Sequence, residues 1–217
     1  MRQLKDTFRH QGMRNQLVKQ LQKEGITNSW VLSSIESVPR HLFLDPAFEA
    51  HAYQNKAFPI AASQTISHPY TVAFQTDLLG VKKGAKILEI GTGSGYQAAV
   101  LCHLGMEVYS IERQRELYKS TRKLLPKLGY RPKQLIFGDG YLGYLEAAPY
   151  DGILVTAGAP SLPQKLLLQL KIGAKLVIPI GVNAQEMYIY TRTGEKTFEK
   201  ENKGNFHFVP MLSNKAY

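Results

Sequence analysis

Three glycines at alternate positions, Gly91, Gly93 and Gly95, directly follow the apolar run of residues 87–90. This order of residues is typical of a buried strand, a tight loop and a packed helix. Because glycine has no Cβ, the loop can adopt positive φ and approach a ligand closely. The first N–H groups of the following helix lack intrahelical partners and can face the same ligand. The loop therefore predicts a small-molecule site.

Two acidic residues stand at the ends of the next two apolar runs. Glu112 follows residues 108–111, 21 residues after Gly91, and can accept hydrogen bonds from both ribose hydroxyls of an adenosyl group. Asp139 follows residues 135–137 within Gly-Asp-Gly and can accept the exocyclic amine of an adenine. The alternative is a surface glutamate and a turn aspartate that happen to follow strands. Three such strand ends within one unit favour the adenosyl site.

The spacing of the loop glycines separates two kinds of adenosyl cofactor. The loop reads Gly-x-Gly-x-Gly, whereas dinucleotide sites read Gly-x-Gly-x-x-Gly. Nothing nearby in the sequence is suited to a second phosphate. The sequence therefore predicts S-adenosylmethionine (AdoMet) rather than NAD, and it predicts no metal.

The elements that must hold these residues alternate between strand and helix. Two amphipathic helices, residues 14–24 and 29–38, precede an irregular segment, residues 40–62. Pro69 starts a helix that runs to Leu79. Seven strands are predicted, over residues 87–90, 108–111, 135–137, 153–155, 175–180, 186–191 and 206–209. This alternation predicts a doubly wound α/β fold: a mostly parallel sheet with helices on both faces, an N-terminal helical cap, and a ligand at the carboxyl ends of the strands.

Composition limits the broad class of the protein. The chain has 217 residues, a hydrophobic content of 44% and one cysteine, Cys102, which excludes an internal disulfide framework. No apolar run approaches the roughly 20 residues that span a bilayer, and the charged N-terminal residues 1–22 resemble neither a signal peptide nor an anchor. We therefore expect one cytoplasmic domain over residues 1–217, with no membrane partner. Residues 1–80 would form the cap and active-site segment, and residues 81–217 the binding core.

The net charge of +10 raises nucleic acid as a partner. The densest basic stretch, residues 113–133, holds eight Lys or Arg and one acid, Glu116. Its charges recur at helical spacing, which favours a solvated helix face over a nucleic-acid site.

Ser67 and His68 stand just before the helix that Pro69 begins. Serine before a helix is most often an N-cap, and this is the structural alternative to a catalytic role for Ser67. A Ser–His nucleophile pair is rejected, because adjacent side chains usually point apart and no acid stands nearby to orient the ring.

Over nearly its whole length the sequence resembles the protein-L-isoaspartate O-methyltransferases, a family of class I AdoMet-dependent enzymes with a Rossmann-like fold. Residues 64–70 resemble the family's active-site segment, residues 88–96 its AdoMet loop, and residues 111–113 its ribose-binding strand end. Residues 138–140 and 148–152 match further family motifs, and residues 208–211 resemble its C-terminal substrate-binding stretch.

The resemblance implies methyl transfer from AdoMet to the α-carboxylate of L-isoaspartyl residues in damaged proteins and peptides. The ester would close to a succinimide that can reopen to aspartate, which is a repair reaction. Ser67 would position the carboxylate as a hydroxyl donor. The implied cofactor-binding residues are Glu89, Gly91, Thr92, Gly93, Gly95, Glu112, Asp139 and Gly140, and the implied substrate-binding residues are Thr65, Ile66, Val209, Pro210 and Met211.

Two alternatives remain open beside this expectation. One is an AdoMet-dependent methyltransferase of RNA or of a small molecule. The other is an AdoMet-binding homologue without turnover, since Ala61 stands where the family usually has a glycine. We expect a monomer that acts on isoaspartyl proteins and peptides.

Overall fold

The main sheet of the described residues has seven strands. Their order is β5-β4-β3-β6-β7-β8-β9, with the strands numbered along the chain as given below. The structure is a computed structural model that describes residues 5–217. Strands β3 to β7 run parallel, and β8 and β9 complete the sheet as an antiparallel pair. In chain order the strands are β1 (Phe58–Pro59), β2 (Thr65–Ile66), β3 (Lys86–Ile90), β4 (Glu107–Glu112), β5 (Gln134–Phe137), β6 (Tyr150–Val155), β7 (Leu170–Ile180), β8 (Gln185–Arg192) and β9 (Phe198–Phe206).

Within residues 5–217, six α-helices flank the sheet, and local residues fix where several of them start and end. They are α1 (Phe8–Lys23), α2 (Ser29–Ser37), α3 (Pro69–Leu79), α4 (Tyr96–His103), α5 (Arg115–Lys127) and α6 (Gln164–Leu167). The Asn28 side chain caps α2 by accepting from the N–H groups of Trp30 and Val31. Pro69 is the first residue of α3, and Gly80 ends it in the left-handed region at φ 61°.

Alternating strand residues divide the core between the two faces of the sheet. Ile87 and Leu154 pack in a cluster with helices α1 to α5, whereas Leu88 and Ile153 pack in a second cluster on the opposite face. The second face is covered by α6 and by 3-10 turns in residues 140–147. This layering confirms the predicted mostly parallel sheet with cover on both faces.

Three predicted elements differ from the structure. Helix α1 begins six residues earlier than predicted, at Phe8, because Thr7 and His10 form a capping box. Residues 40–62, predicted to be irregular, contain the 3-10 helices Arg40–Phe43 and Pro46–His51 and the short strand β1. The last strand is β9 rather than residues 206–209.

A polar cluster around the buried Arg14 joins α1 to the segment that follows α2. Arg14 donates to both carboxylate oxygens of Asp6, at 2.8 and 2.7 Å, and to the Tyr53 hydroxyl at 3.0 Å. The rings of His10 and His41 stack with centroids 3.7 Å apart. Asp6, His10 and His41 bring ligand-type atoms within 4.8 Å of one another, but both oxygens of Asp6 already accept from Arg14. Among residues 5–217, no helix is long and apolar enough to cross a membrane.

Candidate functional site

A cavity of about 860 Å³, counting space open to solvent, lies at the carboxyl ends of β3, β4 and β6. The glycine loop after β3 forms one wall, and the segments before α3 and after β9 bring in the others. The lining residues come from six stretches, 64–67, 90–94, 96–97, 111–114, 156–157 and 209–212, together with Val72 and Gly140.

The glycine loop is fixed to both neighbouring strands. The N–H groups of Gly91 and Thr92 donate to the Ile111 carbonyl of β4, at 2.9 and 3.2 Å. On the other side, the Thr156 hydroxyl lies within hydrogen-bond distance of the carbonyls of Ile90 and Gly91, at 2.9 and 2.7 Å. A Cβ on Gly91, which has φ 97°, would lie 2.5 Å from the Thr156 Oγ1. The loop therefore needs glycine at this position for space as well as for conformation.

Glu112 borders the cavity at the end of β4 and is 4% exposed. Its Oε2 accepts from the Gly93 N–H and its Oε1 accepts from the Gln114 N–H, both at 2.8 Å. Burial raises the pKa of Glu112, and these N–H groups act in the opposite direction by stabilising the carboxylate. Each oxygen keeps a further lone pair for ligand hydroxyls.

Glu89 does not border the cavity, although it was predicted among the cofactor-binding residues. It is fully buried beneath the loop, where the Ser110 hydroxyl donates to its Oε2 at 2.5 Å and its Oε1 has no partner within residues 5–217. Burial raises the pKa of Glu89 to about 8. The Ser110 and Thr92 hydroxyl oxygens are 2.6 Å apart, so Glu89 reaches the cavity lining only through two intervening side chains.

Gly95 also lies outside the cavity lining. It is the N-cap of α4 with φ 86°, and a Cβ there would lie 2.7 Å from the Thr121 Cγ2 of α5. Gly95 therefore allows α4 and α5 to pack closely rather than bordering a ligand.

Asp139 stands at the next strand end but binds the protein's own backbone. Its Oδ1 accepts from the Tyr141 N–H at 2.9 Å, and its Oδ2 accepts from the Asn214 N–H at 2.7 Å. Asp139 is not among the cavity-lining residues, whereas Gly140 is. These contacts hold the C-terminal tail, residues 208–217, and the contact of Asp139 with an adenine amine stays a prediction.

The predicted active-site residue Ser67 borders the cavity and is half-buried. The N-cap of α3 is His68, whose side chain makes no capping hydrogen bond, so the N-cap alternative for Ser67 is wrong. Within residues 5–217 the Ser67 hydroxyl has no hydrogen-bond partner. Thr65 and Ile66, predicted to bind substrate, border the same cavity.

The hairpin before Ser67 carries the residue that departs from the family pattern. Its turn holds Ala62 at φ 57° and Ser63 at φ 54°, both in the left-handed region. Ala61 itself does not have positive φ and does not border the cavity. The turn therefore does not require glycine at position 61.

The predicted substrate-binding stretch, Val209, Pro210 and Met211, forms the outer wall of the cavity. The Gly158 N–H donates to the Val209 carbonyl and the Met211 N–H donates to the Gly158 carbonyl, both at 2.8 Å. The Tyr141 hydroxyl donates to the Met211 carbonyl at 3.0 Å. These bonds fix the stretch before any peptide binds.

Three polar residues of the cavity, Gln97, Gln114 and Thr156, were missed by the sequence analysis. Thr156 follows β6, and the strand-end argument used for Glu112 and Asp139 identifies it when extended to this fourth strand. Gln97 interrupts the otherwise apolar helix α4, and that interruption was the available signal.

Comparisons with known proteins agree on one family. A profile of protein-L-isoaspartate(D-aspartate) O-methyltransferases matches residues 12–216. The chain is 64% identical over 212 residues to a protein-L-isoaspartate O-methyltransferase of Christiangramia forsetii, covering 98% of this chain and 100% of the relative.

Two solved structures share the fold. One protein-L-isoaspartate O-methyltransferase superposes with a TM-score of 0.83 at 27% identity, over 93% of this chain and 66% of the other. A Plasmodium falciparum protein assigned to the same activity, in complex with S-adenosyl-L-homocysteine, gives a TM-score of 0.81 at 24% identity, over 93% and 99% of the two chains.

Proposed function

The chain belongs to the protein-L-isoaspartate(D-aspartate) O-methyltransferase family, and from this premise we propose how its residues methylate isoaspartyl carboxylates. The methyl donor is AdoMet, and the acceptors are isoaspartyl residues in proteins and peptides. The cavity between Ser67 and Glu112 would hold the donor and the acceptor carboxylate together.

The residues of the cavity fit an adenosyl cofactor. Glu112 offers free lone pairs on a carboxylate held by two backbone N–H groups, which suits a pair of ribose hydroxyls. Gly91, Gly93 and Gly140 border the cavity, and a Cβ on Gly140 would clash with the Ile90 side chain, so glycine is required there for packing. We propose that these four residues hold the adenosyl group, while Thr92 borders it.

When bound, AdoMet supplies an electrophilic methyl group on a sulfonium. The acceptor needs no strong base, because a carboxylic acid with a pKa near 4 is already ionised at pH 7. The protein's task is to align the carboxylate with the methyl group and to remove its water. Ser67 would donate a hydrogen bond to one carboxylate oxygen and leave the other free to attack.

The observation that carries this proposal is the free hydroxyl of Ser67. It stands in the cavity wall, half-buried, without a partner among residues 5–217. Thr65 and Ile66 lie beside it, and Val209 to Met211 stand in the outer wall, so we propose that these residues contact the substrate peptide. The fixed backbone of residues 209–211 favours recognition of an extended peptide with little side-chain selectivity.

The decisive experiment compares methylation of an isoaspartyl peptide with methylation of its aspartyl twin. We expect transfer to the isoaspartyl peptide alone. Methylation of RNA or of a small molecule in place of the peptide would contradict the proposal. Calorimetric binding of AdoMet without any turnover would indicate a homologue that has lost activity.

We further propose that the protein acts as a cytoplasmic monomer and as one domain over residues 1–217, of which residues 1–4 lie outside the described structure. One core cluster joins α1 and α2 to the sheet, which supports the single domain. Nucleic acid is not a proposed partner, because Arg115, Lys119 and Arg122 lie on an exposed face of α5 outside the cavity.

A further inference from the structure

Gln97 is a polar residue of the cavity to which neither the family motifs nor the proposed function gives a role. It lies in the first turn of α4, borders the cavity and is 7% exposed. Its side-chain Nε2 donates to the Thr76 Oγ1 at 2.9 Å. Its Oε1 is buried and has no partner within residues 5–217.

The orientation of the Gln97 amide is fixed by Thr76. The Thr76 hydroxyl donates its only proton to the Val72 carbonyl, at 2.7 Å. It can therefore only accept from Gln97, and a flipped amide would place two acceptor oxygens against each other. The Gln97 oxygen is consequently held as a buried acceptor, which is destabilising unless a donor reaches it.

The position of Gln97 indicates which donor reaches it. The sulfonium of the cofactor must lie near Ser67 for methyl transfer, and its ribose extends towards Glu112 under the proposed function. The methionine part leaves the same sulfur in another direction. Gln97 stands on the wall formed by α3 and α4, and the Ser67 segment leads directly into α3. That wall is where the amino-acid end of the cofactor would lie.

We propose that the Gln97 Oε1 accepts a hydrogen bond from the α-ammonium group of AdoMet and of the product S-adenosylhomocysteine. An ammonium has three N–H donors and no acceptor, so it complements an amide oxygen that has no other donor. Gln97 is then a cofactor-binding residue that recognises the amino-acid end of AdoMet. This inference rests on the proposed function for the placement of the sulfonium.

The test uses S-adenosylhomocysteine and its analogue without the α-amino group as probes in calorimetry. Gln97→Met keeps the length of the side chain but removes the acceptor. We expect it to weaken S-adenosylhomocysteine roughly 10- to 150-fold, which is the range for a lost hydrogen bond to a charged group. The deaminated analogue should bind the wild type and Gln97→Met with equal affinity.

Two further variants separate binding from folding. Gln97→Glu keeps an acceptor for the ammonium but loses the donor to Thr76, so its second oxygen needs the Thr76 hydroxyl to turn its proton away from the Val72 carbonyl. It should still bind S-adenosylhomocysteine more tightly than its deaminated analogue, even if Gln97→Met folds poorly. Gln75→Met is the matched control, because Gln75 is a buried glutamine of α3 that donates to the Val155 carbonyl at 2.9 Å and does not border the cavity. It should lower the melting temperature and leave binding of both probes unchanged.

Each remaining outcome overturns the inference. Equal weakening of both probes by Gln97→Met would assign Gln97 to the shape of the cavity. An unchanged affinity for S-adenosylhomocysteine with a raised KM for the isoaspartyl peptide would assign the donor to a substrate N–H. If the affinity for S-adenosylhomocysteine and the KM for the isoaspartyl peptide are both unchanged, the donor to the Gln97 Oε1 is water. The proposed function fails separately, if the wild type binds S-adenosylhomocysteine but does not methylate the isoaspartyl peptide.

Discussion

Glu112 and Asp139 end neighbouring strands of the sheet, and each carboxylate accepts two backbone N–H groups. Both N–H groups bonded to Glu112 belong to residues that line the cavity, so these two hydrogen bonds hold the cavity wall in place. Those bonded to Asp139 come from its own turn and from Asn214 of the C-terminal tail. A strand end therefore places a carboxylate at the edge of the site. Whether that carboxylate borders the cavity depends on the segments that pack over the strand end.

A third carboxylate, Glu89, extends this comparison. We expect its titration to have the largest effect of those predicted here, on the free energy of unfolding. Burial raises its pKa from an ordinary 4.5 to about 8, so the folded protein holds it protonated at neutral pH. A raised pKa stabilises the fold fully below the unfolded pKa, and this contribution is lost as pH rises through the folded pKa. Between pH 4.5 and 8, Glu89 should lower the free energy of unfolding by up to about 1.4 kcal/mol per pH unit.

Glu89→Gln removes this titration while keeping the shape of the side chain. Urea unfolding of wild type and variant at pH 5, 6.5 and 8 should give a difference that grows with pH in favour of the variant. Other titrating groups cancel in that difference. AdoMet affinity should change only a few-fold, because Glu89 acts through Ser110 and Thr92. A constant difference across this pH range would contradict a protonated Glu89.

Ser67 extends the comparison to a cavity residue that has no hydrogen-bond partner among residues 5–217. Ser67→Ala should lower turnover of an isoaspartyl peptide roughly 10- to 150-fold, if the lost hydrogen bond to the carboxylate is felt fully in the transition state. AdoMet affinity should stay within a few-fold and the melting temperature within a degree or so, because the hydroxyl caps no helix. Ser67→Thr should keep the stability and restore only part of the activity. Full activity of Ser67→Ala would remove Ser67 from the mechanism.

Glu112→Ala tests the cavity side of the comparison directly. It should raise the AdoMet dissociation constant roughly 10- to 100-fold, since two hydrogen bonds to a charged group are lost. It should also lower the melting temperature without ligand, because the Gly93 and Gln114 N–H groups lose their acceptor. Calorimetry and a thermal scan without ligand separate the two effects. An AdoMet affinity equal to that of the wild type would exclude Glu112 from the site.

Local patterns explain what the sequence could predict. Pro69 and Gly80 delimit α3, and the apolar runs with their terminal glycine or acid locate β3, β4 and β5. These signals are short-range, and they also identify the glycine loop and Glu112. The strand β9 had no such signal, because its residues are mostly exposed and polar, and it forms by backbone pairing with β8.

The contact between Asp139 and Asn214 joins residues 75 positions apart, and no local pattern marks it. The same holds for Gln97, whose hydrogen bond with Thr76 requires α3 and α4 to be packed together. The sequence therefore locates the strand ends that surround the site. It does not determine which side chains at those strand ends form hydrogen bonds with distant parts of the chain.

Asp139→Ala has the smallest expected effect and completes the comparison with Glu112. Removing the carboxylate leaves the Tyr141 and Asn214 N–H groups without their acceptor, which should reduce stability by about 1–3 kcal/mol. For a chain of this size, that corresponds to a melting temperature lower by roughly 2 to 12 °C without ligand. AdoMet affinity should fall only a few-fold, since Gly140 rather than Asp139 borders the cavity.

Asp139→Asn is the matched control for this prediction. Its amide oxygen can still accept from one of the two N–H groups, so the variant should recover part of the lost stability. Glu112→Ala and Asp139→Ala should therefore both lose stability, but AdoMet affinity should fall roughly 10- to 100-fold in the first and only a few-fold in the second. If Asp139→Ala instead weakens AdoMet as strongly as Glu112→Ala does, with no loss of stability in the ligand-free protein, Asp139 contacts the adenine. The two strand ends would then be equivalent.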